Sequence, residues 1–105
     1  MTNLANRKFT LTGKAKDDLK SIASYTQRKW GKEQRGIYLK QIDLAFHMLA
    51  ENTEAGTACD YIKIGYRKFP NGSHIIFYRE LSDDSIEIVR ILHKRMDVKK
   101  WLSRP

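Results

Sequence analysis

Gly65-Tyr66-Arg67-Lys68-Phe69-Pro70-Asn71-Gly72-Ser73-His74-Ile75-Ile76-Phe77-Tyr78-Arg79 is the stretch on which the fold turns. Aromatic and β-branched residues flank a Pro-Asn-Gly-Ser centre. The flanks suit a pleated, half-buried backbone. The centre is a turn, because Asn-Gly tolerates positive φ. The stretch therefore predicts a strand over residues 64–69, a turn over 70–73 and a strand over 74–80. The second strand is apolar on both faces, as a central strand covered by helices on one side would be. Ser82-Asp83-Asp84-Ser85 makes another turn, and residues 86–92 a third strand. The C-terminal half is thus an antiparallel three-strand meander.

Upstream, the period changes. Lys8-Phe9-Thr10-Leu11-Thr12 alternates as a short strand. Thr12 can cap a helix, since its hydroxyl accepts from an amide of the first turn. Ala15, Leu19, Ile22, Ala23, Thr26 and Trp30 then recur at offsets of three and four, which puts them on one helical face. Asp17 and Asp18 lie near the start of this helix, where its dipole favours them. Gly31 stops it. A second helix over residues 33–51 carries Tyr38, Ile42, Ala45, Phe46 and Leu49 on its apolar face. The break between the helices is short, so they form an antiparallel hairpin. Residues 52–58 read as a polar loop, and residues 97–102 as a last helical turn anchored by Trp101. The whole is an α+β fold: N-terminal strand, α-helical hairpin, three-strand meander. Helices cover one sheet face; the other is expected to stay partly open and to receive a partner.

The 105 residues fit a single domain over 1–105. Hydrophobic content of 41% and charged content of 30% are those of an ordinary globular chain rather than a disordered one. No apolar run approaches the roughly 20 residues that cross a bilayer. The first eight residues hold no apolar signal-peptide core, so the expected location is cytoplasmic with no membrane partner. Cys59 is the sole cysteine and cannot form an internal disulfide. His47, His74 and His93 are scattered, with no metal-ligand spacing, and no phosphate-binding or dinucleotide glycine pattern occurs. Neither metal nor cofactor is expected. A formal charge of +8 attracts polyanions, whether nucleic acid or acidic protein. No recognition helix or exposed aromatic platform is evident, which argues against a plain nucleic-acid-binding module.

One enzymatic chemistry suits the chain. Metal-free RNA cleavage needs a proton donor and acceptor, and cations for the phosphate. His93 would move the proton, and Arg67, Arg79, Arg90, Lys94 and Arg95 would hold phosphate. Residues of one strand share a face only at even spacing, so Arg90 and His93 point opposite ways unless the strand bends. The alternative is binding. Between Arg90 and Pro105 the tail offers Arg90, Lys94, Arg95, Lys99, Lys100 and Arg104 against Asp97, with Met96 and Trp101 as apolar anchors.

Several segments, in this order and spacing, resemble the ParE toxins of the RelE/ParE superfamily. They are Leu11-Thr12-Gly13-Lys14-Ala15, Tyr25-Thr26, Trp30-Gly31, Leu49-Ala50-Glu51-Asn52, Gly65-Tyr66-Arg67, Gly72-Ser73-His74, Phe77-Tyr78-Arg79 and Ile88-Val89-Arg90-Ile91-Leu92-His93. The resemblance spans nearly the whole chain. It implies a RelE/ParE-like fold and a toxin of a type II toxin–antitoxin module, one that inhibits DNA gyrase by protein binding and blocks replication. RelE relatives are instead ribosome-dependent mRNA interferases, and usually carry a Tyr or His-Tyr near the last strand. Here Lys94-Arg95 follows His93, which favours the gyrase poison over the nuclease and implies no catalytic residue. The implied partners are a ParD-like antitoxin, held in a toxin–antitoxin hetero-oligomer, and gyrase through its DNA-cleaving A subunit, with a contact to gyrase-bound DNA. The gyrase-facing candidates are His93, Lys94, Arg95, Met96, Lys99, Lys100 and Trp101. The antitoxin-facing candidates are Tyr66, Arg67, Lys68, Phe69, Tyr78 and Arg79.

Overall fold

Thr12 joins the first strand to the first helix and fixes how they sit. The computed structural model describes residues 8–102, with Lys99 and Trp101 described by backbone alone. Thr12 follows β1 (Phe9–Leu11) and caps α1 (Gly13–Trp30), accepting from the Ala15 amide at 3.0 Å. Its hydroxyl also donates to the Val89 carbonyl at 2.7 Å, which pins the helix start to the last strand. Gly31, at φ 94°, is the one residue between α1 and α2 (Lys32–Glu51). A positive φ of this kind suits glycine. The helical hairpin therefore forms as the sequence predicts.

The meander is β3 (Tyr66–Asn71), β4 (His74–Glu80) and β5 (Ile86–His93). β3 begins two residues later than expected and runs through Pro70 to Asn71. Asn71 pairs with His74, so the turn shrinks to Gly72-Ser73. Gly72 alone supplies the positive φ there, at 58°, and Asn71 stays in the ladder. A short strand was not expected: β2 (Thr57–Ala58) pairs antiparallel with β3 inside the polar 52–58 segment. The sheet order is β1-β5-β4-β3-β2, with β1 parallel to β5 and the rest antiparallel.

β1 ends opposite Ile88, so beyond it β5 is paired with β4 on one side and has no strand on the other. Side chains of α1 take that place. Beyond Thr12, Asp18 accepts from the Ile91 amide at 2.9 Å. Unpaired strand amides are costly when buried, so these contacts close the sheet edge. Asp18 thus serves β5 from the second turn of α1, not the helix dipole. The ladder shifts register between Phe77 and Tyr78, where Val89 bulges out of β5.

Two clusters hold the fold. Ala15, Ile22, Ile42, Phe46, Leu49, Ile76, Tyr78, Ile88 and Ile91 are among those packed between the helices and the sheet. The opposite face, expected to stay partly open, has its own smaller core. Cys59, Phe77, Leu92 and Leu102 are buried there, flanked by Ile62, Tyr66, Ile75, Val89 and Val98. The 59–65 loop and α3 (Val98–Leu102) provide this cover. The described anchor of α3 is Leu102; the side chain of Trp101, the expected anchor, lies outside the described residues. Among the described residues no helix is long and apolar enough to cross a membrane.

Candidate functional site

Trp30 was expected on the buried face of α1, but it is two-thirds exposed, and Tyr25 half-exposed. Both rings stand at the rim of a groove of about 880 Å³ between the far end of the helical hairpin and the sheet. α1 contributes Tyr25, Thr26, Lys29 and Trp30; α2 contributes Gln34 and Tyr38. Gly72, Ser73 and His74 come from the β3–β4 turn, and His93, Lys94 and Arg95 from the end of β5. An aromatic platform of the kind the sequence did not reveal is therefore present. Its signal was weak: Trp30 fits the apolar spacing of α1, yet the helix there has run past the edge of the sheet.

The groove wall is built by hydrogen bonds. The Tyr38 hydroxyl donates to the Asn71 carbonyl at 3.0 Å and lies 2.7 Å from His74 Nδ1. A hydroxyl has one proton; with that proton on Asn71, His74 must donate from Nδ1, leaving Nε2 as an acceptor. Burial first, and then the facing His93, push the His74 imidazole down to about 4, so it is neutral at pH 7. His74 and His93 are cross-strand partners, with ring centroids 5.4 Å apart and planes at 84°. His93 Nδ1 accepts from the Arg95 amide at 3.1 Å. The Lys94 amide donates to the Ser73 carbonyl at 3.0 Å, and the Met96 amide to the His93 carbonyl at 2.9 Å. These bonds hold the 93–96 turn against the hairpin tip. Lys94, Arg95 and Met96 are exposed on it.

Of the residues named for RNA cleavage, His93, Lys94 and Arg95 meet at the groove, and Arg67, Arg79 and Arg90 do not join them. His93 opens onto the groove. Arg90 is 8% exposed and reaches Asp18 of α1 through two bonds, Nε at 2.8 Å and Nη2 at 2.9 Å. Its charge belongs to the α1–β5 junction, which corrects its place both in a phosphate cradle and in the exposed tail. Arg79 pairs across the outer sheet surface with Glu87 at 2.9 Å. Arg67 pairs in register with Tyr78, on the helix-facing side of β3. The bulge at Val89 precedes Arg90, and the ladder runs without a shift from Arg90 to His93, so the strand supplies no bend between them.

The antitoxin-facing candidates divide between two faces. Tyr66, Lys68 and Arg79 share the outer face, because Tyr66 pairs with Arg79 and Lys68 with Phe77. Arg67, Phe69 and Tyr78 face the helices. Tyr78 is fully buried: its hydroxyl accepts from the Gly56 amide at 2.8 Å and donates to the Thr53 carbonyl at 2.7 Å. It is a core residue that holds the 53–56 loop, and cannot offer a pocket to a partner. Phe69 packs on the main core and Tyr66 on the smaller one. Lys68 Nζ lies 2.8 Å from the Tyr61 hydroxyl, and Tyr61 is exposed. Among the gyrase-facing candidates Lys100 is exposed, and the side chains of Lys99 and Trp101 lie outside the described residues. Among the described residues no group of three or more His, Cys, Asp or Glu could hold a metal ion.

Residues 9–98 match the family model for the ParE toxin of the type II toxin–antitoxin system, parDE. The chain belongs to the ParE toxin family. Toxin ParE1 of Mycobacterium tuberculosis is 40% identical over 95 residues, covering 90% of this chain and 97% of that one. Toxin ParE1 of Caulobacter vibrioides is 34% identical over 94 residues, with 90% and 96% covered. Toxin ParE of Escherichia coli is 28% identical, with 90% and 92% covered. In fold, the chain resembles a solved structure described as the chromosomal ParDE TA system from P. aeruginosa, with TM-score 0.70 at 20% identity and 85% and 97% covered. As a ParE toxin with this α+β architecture, the chain carries its exposed basic turn beside the groove onto which His93 opens.

Proposed function

We propose that this ParE toxin acts by binding and not by bond cleavage, that its target is DNA gyrase, and that a ParD-like antitoxin neutralises it. The observation that carries the reading is that Arg67, Arg79 and Arg90 lie away from His93, over two sheet faces and in an ion pair with Asp18, which leaves only Lys94 and Arg95 of an exposed turn beside it. Acid–base cleavage of RNA needs a proton-transfer group and phosphate-holding cations within hydrogen-bond reach of one substrate. A binder has no such requirement; it works by preferring one state of its target.

The gyrase-facing surface is the 93–96 turn, with Lys94, Arg95 and Met96 projecting, and Lys100 beyond it on α3. An acidic antitoxin segment has Lys68 and Arg79 to meet on the outer sheet face, with Tyr66 and the exposed Tyr61 as apolar contacts. The toxin is a cytoplasmic protein that needs no cofactor.

The test uses purified toxin, gyrase and plasmid DNA, scored for supercoiling and for trapped cleaved DNA. The expected result is loss of supercoiling with accumulation of linear DNA, reversed by the antitoxin. His93→Ala then weakens the effect by less than about tenfold, whereas loss of a proton-transfer group would cost a nuclease on the order of 10²-fold or more. Cleavage of ribosome-bound mRNA by the toxin, abolished by His93→Ala, with gyrase untouched, would sink the proposal.

A further inference from the structure

We propose that the groove between α1, the β3–β4 turn and the 93–96 turn binds a short single-stranded nucleic acid, its bases stacked on Trp30 and Tyr25 and its phosphates met by Lys29, Lys94 and Arg95. The groove shares Lys94 and Arg95 with the gyrase-facing turn, but what it binds is tested on the toxin alone, with no gyrase present, so the two readings fail separately.

Three observations converge. Trp30 is 66% exposed and Tyr25 52%, on a helix whose other apolar side chains pack inward. Exposed apolar surface gathered at a groove and rimmed by polar residues marks a binding site, where a ring exposed singly would not. Second, the cations stand beside the rings on both walls. Lys29 Nζ lies 6.0 Å from the Tyr25 ring centroid, and Lys94 and Arg95 approach from the opposite wall on a turn bonded to the hairpin tip. Phosphate and base of one nucleotide are several ångströms apart, so alternating rings and cations match a strand laid along the groove. Third, among the described residues that line the groove none is a carboxylate and none an aliphatic hydrophobe. The first absence selects an anion. The second disfavours an amphipathic peptide helix, which recognises its groove through aliphatic pockets at helical spacing.

A duplex fits this geometry less well. Its bases are stacked on one another and present only edges, so Trp30 and Tyr25 would have no base face to cover. The groove is also lined by hydrogen-bonding groups, the Gln34 amide and the imidazoles of His74 and His93. DNA and RNA share the base and phosphate chemistry; the 2′-hydroxyl is what separates them.

The experiment is fluorescence anisotropy of labelled ten-nucleotide dT and rU strands, and of a duplex of the same length, titrated with the intact purified toxin. Expected are binding of single strands in preference to duplex, and a further preference between dT and rU that names the source. Trp30→Ala should weaken binding by roughly 5- to 100-fold, the range for removing one base–aromatic stack. Trp30→Phe should restore most of it. Lys94→Gln with Arg95→Gln should lower the salt slope by about 0.7 for each phosphate no longer neutralised, whereas Lys40→Gln, on α2 outside the groove, should cost much less. Trp30 is exposed, so its variants fold, and circular dichroism checks this. Equal affinity for duplex, or indifference to Trp30→Ala, would overturn the proposal and leave only diffuse charge attraction. So would displacement of the strand by an acidic peptide whose own binding is the tighter and depends on Trp30.

Discussion

At the scale of single residues, polar groups turn out to decide more than the apolar ones. Asp18 holds Arg90 by two bonds and the Ile91 amide by a third, in a pair whose side chains are 14% and 10% exposed. Removing one partner of a nearly buried pair is far costlier than exchanging both. Asp18→Ala should therefore lower unfolding free energy by about 3 kcal/mol, read by urea denaturation; an unchanged midpoint would refute this account of the junction. Tyr78 makes a similar case. Tyr78→Phe strips the Gly56 amide and Thr53 carbonyl of their shared partner and should cost roughly 1–3 kcal/mol, with faster proteolysis in the 53–56 loop. His74 gives a pH dependence. Tyr38 of α2 and His93 of β5 face it, and Asp18 of α1 partly opposes the depression of its pKa from 6.5 to about 4. In that interval the unfolded chain takes a proton that the folded protein refuses. Stability is thus fully present above about 6.5, falls as pH drops, and levels below about 4. For a half-buried ring the loss is roughly 1–2 kcal/mol after solvent screening. His74→Gln, which keeps a partner for Tyr38, should flatten the slope in thermal melts between these limits. None of these roles was legible in the sequence, because each joins residues far apart in the chain.

At the scale of elements, legibility followed pattern length. The helices announced themselves because five or six apolar positions repeat at a fixed period and a cap or glycine bounds them. β4 matched its expected span, since its apolar run ends at polar turns on both sides. β2 is two residues long and exposed on both, so no periodicity existed to be read. β3 was displaced because pairing with β4 draws Pro70 and Asn71 into the ladder, leaving the turn to Gly72-Ser73. The candidate site fared less well for a related reason. His93, Lys94 and Arg95 could be named from their place after the last strand, but Trp30 and Tyr25 come to the same groove only through the hairpin of α1 and α2. Helical spacing tells which residues share a face, not where that face outruns the sheet it covers.

At the scale of the molecule, the C-terminal segment is both surface and structure. Val98 and Leu102 of α3 help to cover the smaller core, with Leu102 5% exposed. Deleting residues 97–105 should broaden thermal unfolding and lower its midpoint, and any loss of toxicity would follow from that. Lys94→Gln with Arg95→Gln should spare the melting curve and still reduce gyrase inhibition. If the truncated protein melts as the intact one does, α3 is an appendage and the smaller core is self-sufficient.

The parallel pairing of β1 with β5 has a consequence in time as well as in space. Thr12 and Val89 are 77 positions apart, and Asp18 and Arg90 72. Until Ile86, Glu87 and Ile88 have left the ribosome, β1 has no neighbour and the start of α1 no strand to hold. Contacts of such long sequence separation close late and slowly. The nascent chain therefore carries its helical hairpin and an unfinished sheet through most of its synthesis. A message broken upstream of the β5 codons yields no completed domain, so translation gives folded toxin only after the last strand has emerged.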